Sequence, residues 1–194
     1  MFCTLKDKAL NAPLWIHATA TVIGFAAFQG TRIYLDRLYA ASGHPVDFAT
    51  GQLAFDGATT FGYYETMRAA GTFGTYIQTQ LFDFAFIASV ILFGICLGTL
   101  IARMGVPRKA TYMMGIGAAF FAFLGGSFDA LENLTSFGLK QFENGIPQIL
   151  AYIYSGFAAL KFISLTIAMA LALAALITGV ISKGLGMMRR PTAD

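Results

Sequence analysis

Hydrophobic positions in this sequence come in long uncharged runs, and charged residues mark their ends. No charge lies between Lys8 and Arg32, Asp83 and Arg103, Lys109 and Asp129, or Lys161 and Lys183, which leaves runs of 23, 19, 19 and 21 residues. About 20 apolar residues at 1.5 Å each cross a hydrocarbon core of roughly 30 Å. The pattern predicts an all-α polytopic membrane protein, a four-transmembrane-helix bundle with spans near 14–34, 78–103, 110–138 and 158–183. A β-barrel would instead alternate in segments of about ten residues. The chain, 1–194, is read as a single membrane domain.

Residues 144–160 form a further uncharged run, separated from the fourth span by Lys161 alone. A separate fifth span leaves no room for a turn there, so the preferred reading over an interfacial or re-entrant piece is one long fourth helix. Pro147 suits its first turn, where a missing N–H costs nothing. Between the first two spans lies an outer loop, 35–77, much longer than ordinary connections. Its Tyr, Phe and Met residues predict a short amphipathic helix around 61–70 on the outer membrane surface, stopped by Gly71. Seven of the eight tyrosines (34, 39, 63, 64, 76, 152 and 154) fall on that side and read as an interfacial aromatic belt.

Composition agrees with a membrane setting: 57% of residues are hydrophobic and only 12% charged, against about 25% in soluble domains. This excludes a disordered chain. Lysine and arginine set the orientation. With the N-terminus inside, eight (Lys6, Lys8, Arg103, Arg108, Lys109, Lys183, Arg189, Arg190) lie on the inner side and five (Arg32, Arg37, Arg68, Lys140, Lys161) on the outer. The expectation is a bacterial inner membrane protein with both termini cytoplasmic. The basic start and apolar run resemble a signal peptide but are read as an uncleaved first span. Cys3 and Cys96 fall too far apart to pair and are read as free thiols. The net charge of +3 follows from the inner loops, so no nucleic-acid partner is expected.

Depth brings the charges together. Asp83 is 20 residues from Arg103, and Asp129 is 20 from Lys109, so both stand about 30 Å above the inner surface. Lys161 reaches a similar height and Arg32 closes the first span there. Glu132 and Asn133 share a helix face with Asp129, as Gln80 and Tyr76 do with Asp83. Charges end hydrophobic runs by definition, and snorkelling accounts for Arg32 and Lys161. It accounts poorly for Asp83, embedded in Leu-Phe-Asp-Phe-Ala-Phe, which should turn inward and find a partner. The candidate ligand site is therefore Asp83, Asp129, Glu132, Asn133, Arg32, Lys161, Gln80 and Tyr76, with a purely structural polar cluster as the competing reading.

Other chemistry is sparse. His17 and His44 lie on opposite sides, which disfavours a bis-histidine haem. His17 offers at most one ligand to a haem or chlorophyll-type pigment; a hydrogen-bonded helix residue is the commoner role. No metal-ligand spacing, phosphate loop or nucleophile elbow occurs, so no catalytic residue is assigned. Gly94-Ile-Cys-Leu-Gly98 and the glycines at 115, 117, 125 and 126 permit close helix approach, within the chain or against another subunit.

The Phe61-Gly62-Tyr63 stretch, the Gln80–Phe86 opening of the second span and Asp129-Ala-Leu-Glu132-Asn133 of the third resemble a family of uncharacterised bacterial four-helix integral membrane proteins. The resemblance covers roughly 14–180, mostly as architecture. It implies an acid on the second helix facing an acid–amide face on the third, and no activity. Three functions compete. The first is binding of a lipid-like or quinone-like amphipathic molecule through the polar cluster. The second is an accessory role in a larger membrane complex or homo-oligomer, and the third is intramembrane acid–base catalysis.

Overall fold

The computed structural model describes residues 12–105 and 109–188, with side chains to 179. Its elements are α1 (Leu14–Ser42), α2 (Phe48–Gln52), α3 (Gly57–Ala69), α4 (Phe73–Met104), α5 (Lys109–Leu139) and α6 (Gln148–Met188). Among the described residues there is no strand. Cys3, Lys6, Lys8, Arg108, Arg189, Arg190 and the Lys183 side chain, used above for pairing and orientation, lie outside the description.

Three helices, α4, α5 and α6 as far as Gly179, are long and apolar enough to cross a membrane. The first expected span is not among them, although it forms a helix of 29 residues. Thr19, Thr21, Gln29 and Thr31 dilute its apolar run. Nor does the helix stop near 34. Arg32 and Asp36 lie one turn apart with Nε and Oδ2 at 3.7 Å, so charge continues the helix. It ends at Gly43, whose φ of +64° makes the left-handed cap that favours glycine. Residues 148–160 belong to the long α6, with Pro147 immediately before its first turn.

The long helices pack in chain order: α1 on α4, α4 on α5, α5 on α6. Paired residues make each neighbour antiparallel. Thr31 Oγ1 and Ser89 Oγ lie 2.8 Å apart, and Phe28 stacks on Phe93, across α1–α4. Toward the C-terminus of α4, the α4 and α5 backbones nearly touch. A Cβ added at Gly98 would lie 2.6 Å from both the Gly115 oxygen and the Ala119 nitrogen. Gly94 similarly leaves room only for Ala122, so these glycines seal the fold by close approach.

The connection between α1 and α4 is ordered rather than a bare loop. Asp47 caps α2 by accepting from Thr50 N (3.0 Å), and Asp56 caps α3 by accepting from Thr59 N (2.8 Å). The amphipathic helix expected at 61–70 therefore starts four residues earlier, and Gly71 follows it at φ +71°. Gln148 fastens this cap to α6, donating from Nε2 to Phe55 O (2.8 Å) and accepting from Gly57 N (2.9 Å). Phe55, at φ +51°, also donates its N–H to Ser155 Oγ (3.1 Å). That conformation is unusual outside glycine and persists because its surroundings over-determine it.

Beneath the cap lies a core of Tyr64, Met67, Tyr76, Leu139, Ile146, Ala151 and Tyr154. This corrects the aromatic-belt reading. Tyr64, Tyr76 and Tyr154 are buried, because α3 covers the helix ends on which two of them stand. Tyr34 and Tyr152 remain exposed.

Candidate functional site

Toward the N-terminus of α4, helices α4, α5 and α6 each turn polar side chains toward one another. Asp129, Glu132 and Asn133 follow the i, i+3, i+4 spacing and so share one face of α5. Lys161 on α6 meets that face: its ammonium donates to Asp129 Oδ1 at 3.0 Å and to Glu132 Oε2. Its third partner is Gln52 Oε1, at 2.9 Å, brought in by α2. Lys161 is 5% exposed, so it does not snorkel. Gln52 of α2 covers it from one side, and two carboxylates reward the inward rotamer.

Asp83 on α4 has a different partner. It accepts the Asn133 side-chain N–H at 2.7 Å and forms no ion pair among the described residues. One turn outward, Ser136 Oγ lies 2.7 Å from Gln80 Oε1, and the Lys140 ammonium donates to Ser136 at 2.9 Å. Lys140 then rests over the rings of Tyr76 (4.9 Å) and Phe137 (4.7 Å), a cation–π setting. Two buried acceptors, Glu132 Oε1 and Asn133 Oδ1, have no donor within reach. The cluster is rich in acceptors and short of donors.

Six of the eight expected site residues join this buried network or its immediate wall: Asp83, Asp129, Glu132, Asn133, Lys161 and Gln80. Tyr76 instead belongs to the aromatic core, beside Lys140. Arg32 is an exposed side chain that pairs with Asp36 at the rim. Sequence reasoning missed Gln52, Ser136 and Lys140. The Ser136–Lys140 spacing of four was visible on one helix face, whereas Gln52 is 109 residues from Lys161 and carried no signal.

Two spaces adjoin the cluster. A cavity of about 220 Å³ is lined by Asp83, Asp129, Lys161 and Gln52, with Phe48, Phe86 and Phe162 as walls and Arg32 and Asp36 at its rim. Below it runs an apolar groove of about 590 Å³, lined by Phe28, Val90, Phe93, Leu97, Ala168, Met169 and Ala172 among others. Arg32, Phe86 and Leu165 line both, so the polar cavity and the apolar groove adjoin. Helices α1 and α6 flank the groove without forming a packed interface.

Outside the long apolar helices, His44 stacks on Tyr39 with ring centroids 5.1 Å apart and approaches Tyr63 and Tyr76. Burial holds its imidazole below the ordinary value, against the opposing pull of the Val46 carbonyl and Asp47. The carboxyls of Asp47 and Asp56 are held low by their capping bonds, from the Thr50 backbone first and from the Thr59 hydroxyl first, respectively. His17 is buried near the far end of α1, with Nε2 unpartnered. Cys96 is a free thiol, as expected.

Among the described residues, fold and site together define an all-helical protein with three helices of membrane-spanning length and a buried acid–lysine cluster beside an apolar groove. No protein-family model, curated protein or solved structure matches the chain.

Proposed function

We propose that this is a four-span membrane protein with both termini on the inner side, and that it binds a lipid-like amphipathic molecule. The head occupies the polar cavity and the chain lies in the groove. In this reading α1 is the fourth span, supported by its length and by the apolar side chains it exposes at Val22, Ile23, Phe25 and Ile33. The α2–α3 cap then lies on the outer side and shields the cluster from water.

The observation that carries the reading is the junction of the two spaces: acids and an ammonium at one end, apolar walls at the other, and shared residues between. Ligand pockets of about 300–1,000 Å³, mostly apolar with a few placed polar groups, are the usual form of a small-molecule site. An accessory role in a larger complex draws less support. The glycines at 94, 98, 115, 125 and 126 face other helices of the same chain, so they are not spare surface for another subunit.

The test is native mass spectrometry of protein gently extracted from its own membrane, compared with Ala168→Phe, which fills the groove. The expected result is a discrete small mass on the wild type that the folded variant loses. A wild type that carries none, and whose melting no long-chain additive shifts, would overturn the proposal.

A further inference from the structure

Resting on that reading, we propose that the head group taken by the cavity is cationic, an ammonium on an apolar chain, received by Asp83. Asp83 is 4% exposed, lines the cavity, and accepts one amide N–H in place of a cation. A buried carboxylate is costly unless paired as well as hydrogen-bonded. Lys161 offers nothing to an anionic head, because its three donors are directed to Gln52, Asp129 and Glu132.

Charge balance points the same way. The cluster holds three carboxyl groups against two amines, Lys161 and, through Ser136, Lys140. The pair at the rim, Arg32 and Asp36, cancels itself. Repulsion from the Lys161 ammonium is outweighed by the two carboxylates it touches. The Phe48, Phe86 and Phe162 rings in the cavity wall suit a cation and do nothing for an anion.

The experiment uses the full chain in maltoside micelles, titrated with dodecylamine, dodecanol, dodecanoate and a short-chain phosphatidylethanolamine. Binding is read by native mass spectrometry and by the shift in melting temperature. The expected result is one dodecylamine bound at least about tenfold more tightly than dodecanol or dodecanoate, the scale of a charge-assisted hydrogen bond. Asp83→Asn should erase that preference, and Asp83→Glu should keep it. Phosphatidylethanolamine binding with the same Asp83 dependence makes the source a membrane aminolipid, and its failure beside dodecylamine makes the source a free amphiphilic amine. Equal binding of all three dodecyl heads, or a preference for dodecanoate, overturns the cationic head and leaves the amphipath reading standing. Binding of none overturns both.

Discussion

The interface between α4 and α5 is built in two unlike ways along its length. Toward the C-terminus of α4, Gly94, Gly98 and Gly115 meet Ala122, Ala119 and Ala102, and no side chain larger than a methyl lies between the backbones. Toward its N-terminus the same helices carry Asp83 against Asn133 and Gln80 against Ser136. The glycine half fixes how closely the helices approach, and the polar half fixes which residues face which. The polar half borders the cavity, and the glycine half borders the apolar groove, which Gly94, Gly98 and Ala122 help to line.

The largest way to break this contrast is Lys161→Met, which strands Asp129 and Glu132. It should cost about 3–5 kcal/mol, the penalty of leaving buried charge unpaired, measured by denaturant-induced unfolding in detergent. The triple change Lys161→Met, Asp129→Asn, Glu132→Gln should recover most of it. A single variant as stable as the wild type would mean that water reaches the cluster. At the other end, Gly98→Leu forces backbone apart and should cost about 1–3 kcal/mol by the same unfolding measurement.

Smaller effects sharpen the comparison within the polar half. Gln148→Ala removes two hydrogen bonds that fasten the cap, worth roughly 1 kcal/mol. Hydrogen exchange at the Phe55 and Gly57 amides should speed up severalfold while the inner helices stay protected. Smallest is the pH response of His44. Its folded value is lowered, so on acidification the unfolded chain takes the proton first. Stability from the neutral ring is complete above pH 6.5 and falls below it. Unfolding midpoints at pH 7.5 and 5.5 should therefore draw closer together in His44→Asn than in the wild type.

Much of this architecture is legible in the sequence, for a physical reason. Uncharged runs report helices that have nowhere to put a charge, and a rise of 1.5 Å per residue converts sequence distance into depth. That arithmetic brings Asp83, Asp129 and Lys161 to one level before any coordinates are known. What lies across the chain is not legible. Lys161 looks like a snorkelling lysine because nothing local says that α2 will deliver Gln52 or that α3 will roof the site. The tyrosines at 64, 76 and 154 look interfacial for the same reason. The first helix is underestimated because Arg32 and Asp36, which end a hydrophobic run, pair along a helix and do not end it.

The absence of a packed α1–α6 interface has a consequence for how occupancy should be measured. In the proposed function a molecule reaches the groove sideways from the surrounding leaflet. The quantity that sets occupancy is then its mole fraction among neighbouring lipids, not its molarity in water. A compound too insoluble to bind measurably from solution would still fill the groove at a few molecules per hundred lipids. Any detergent with an alkyl tail would compete for the same seam, so titrations at fixed micelle composition and in lipid discs should rank ligands alike only after that competition is subtracted.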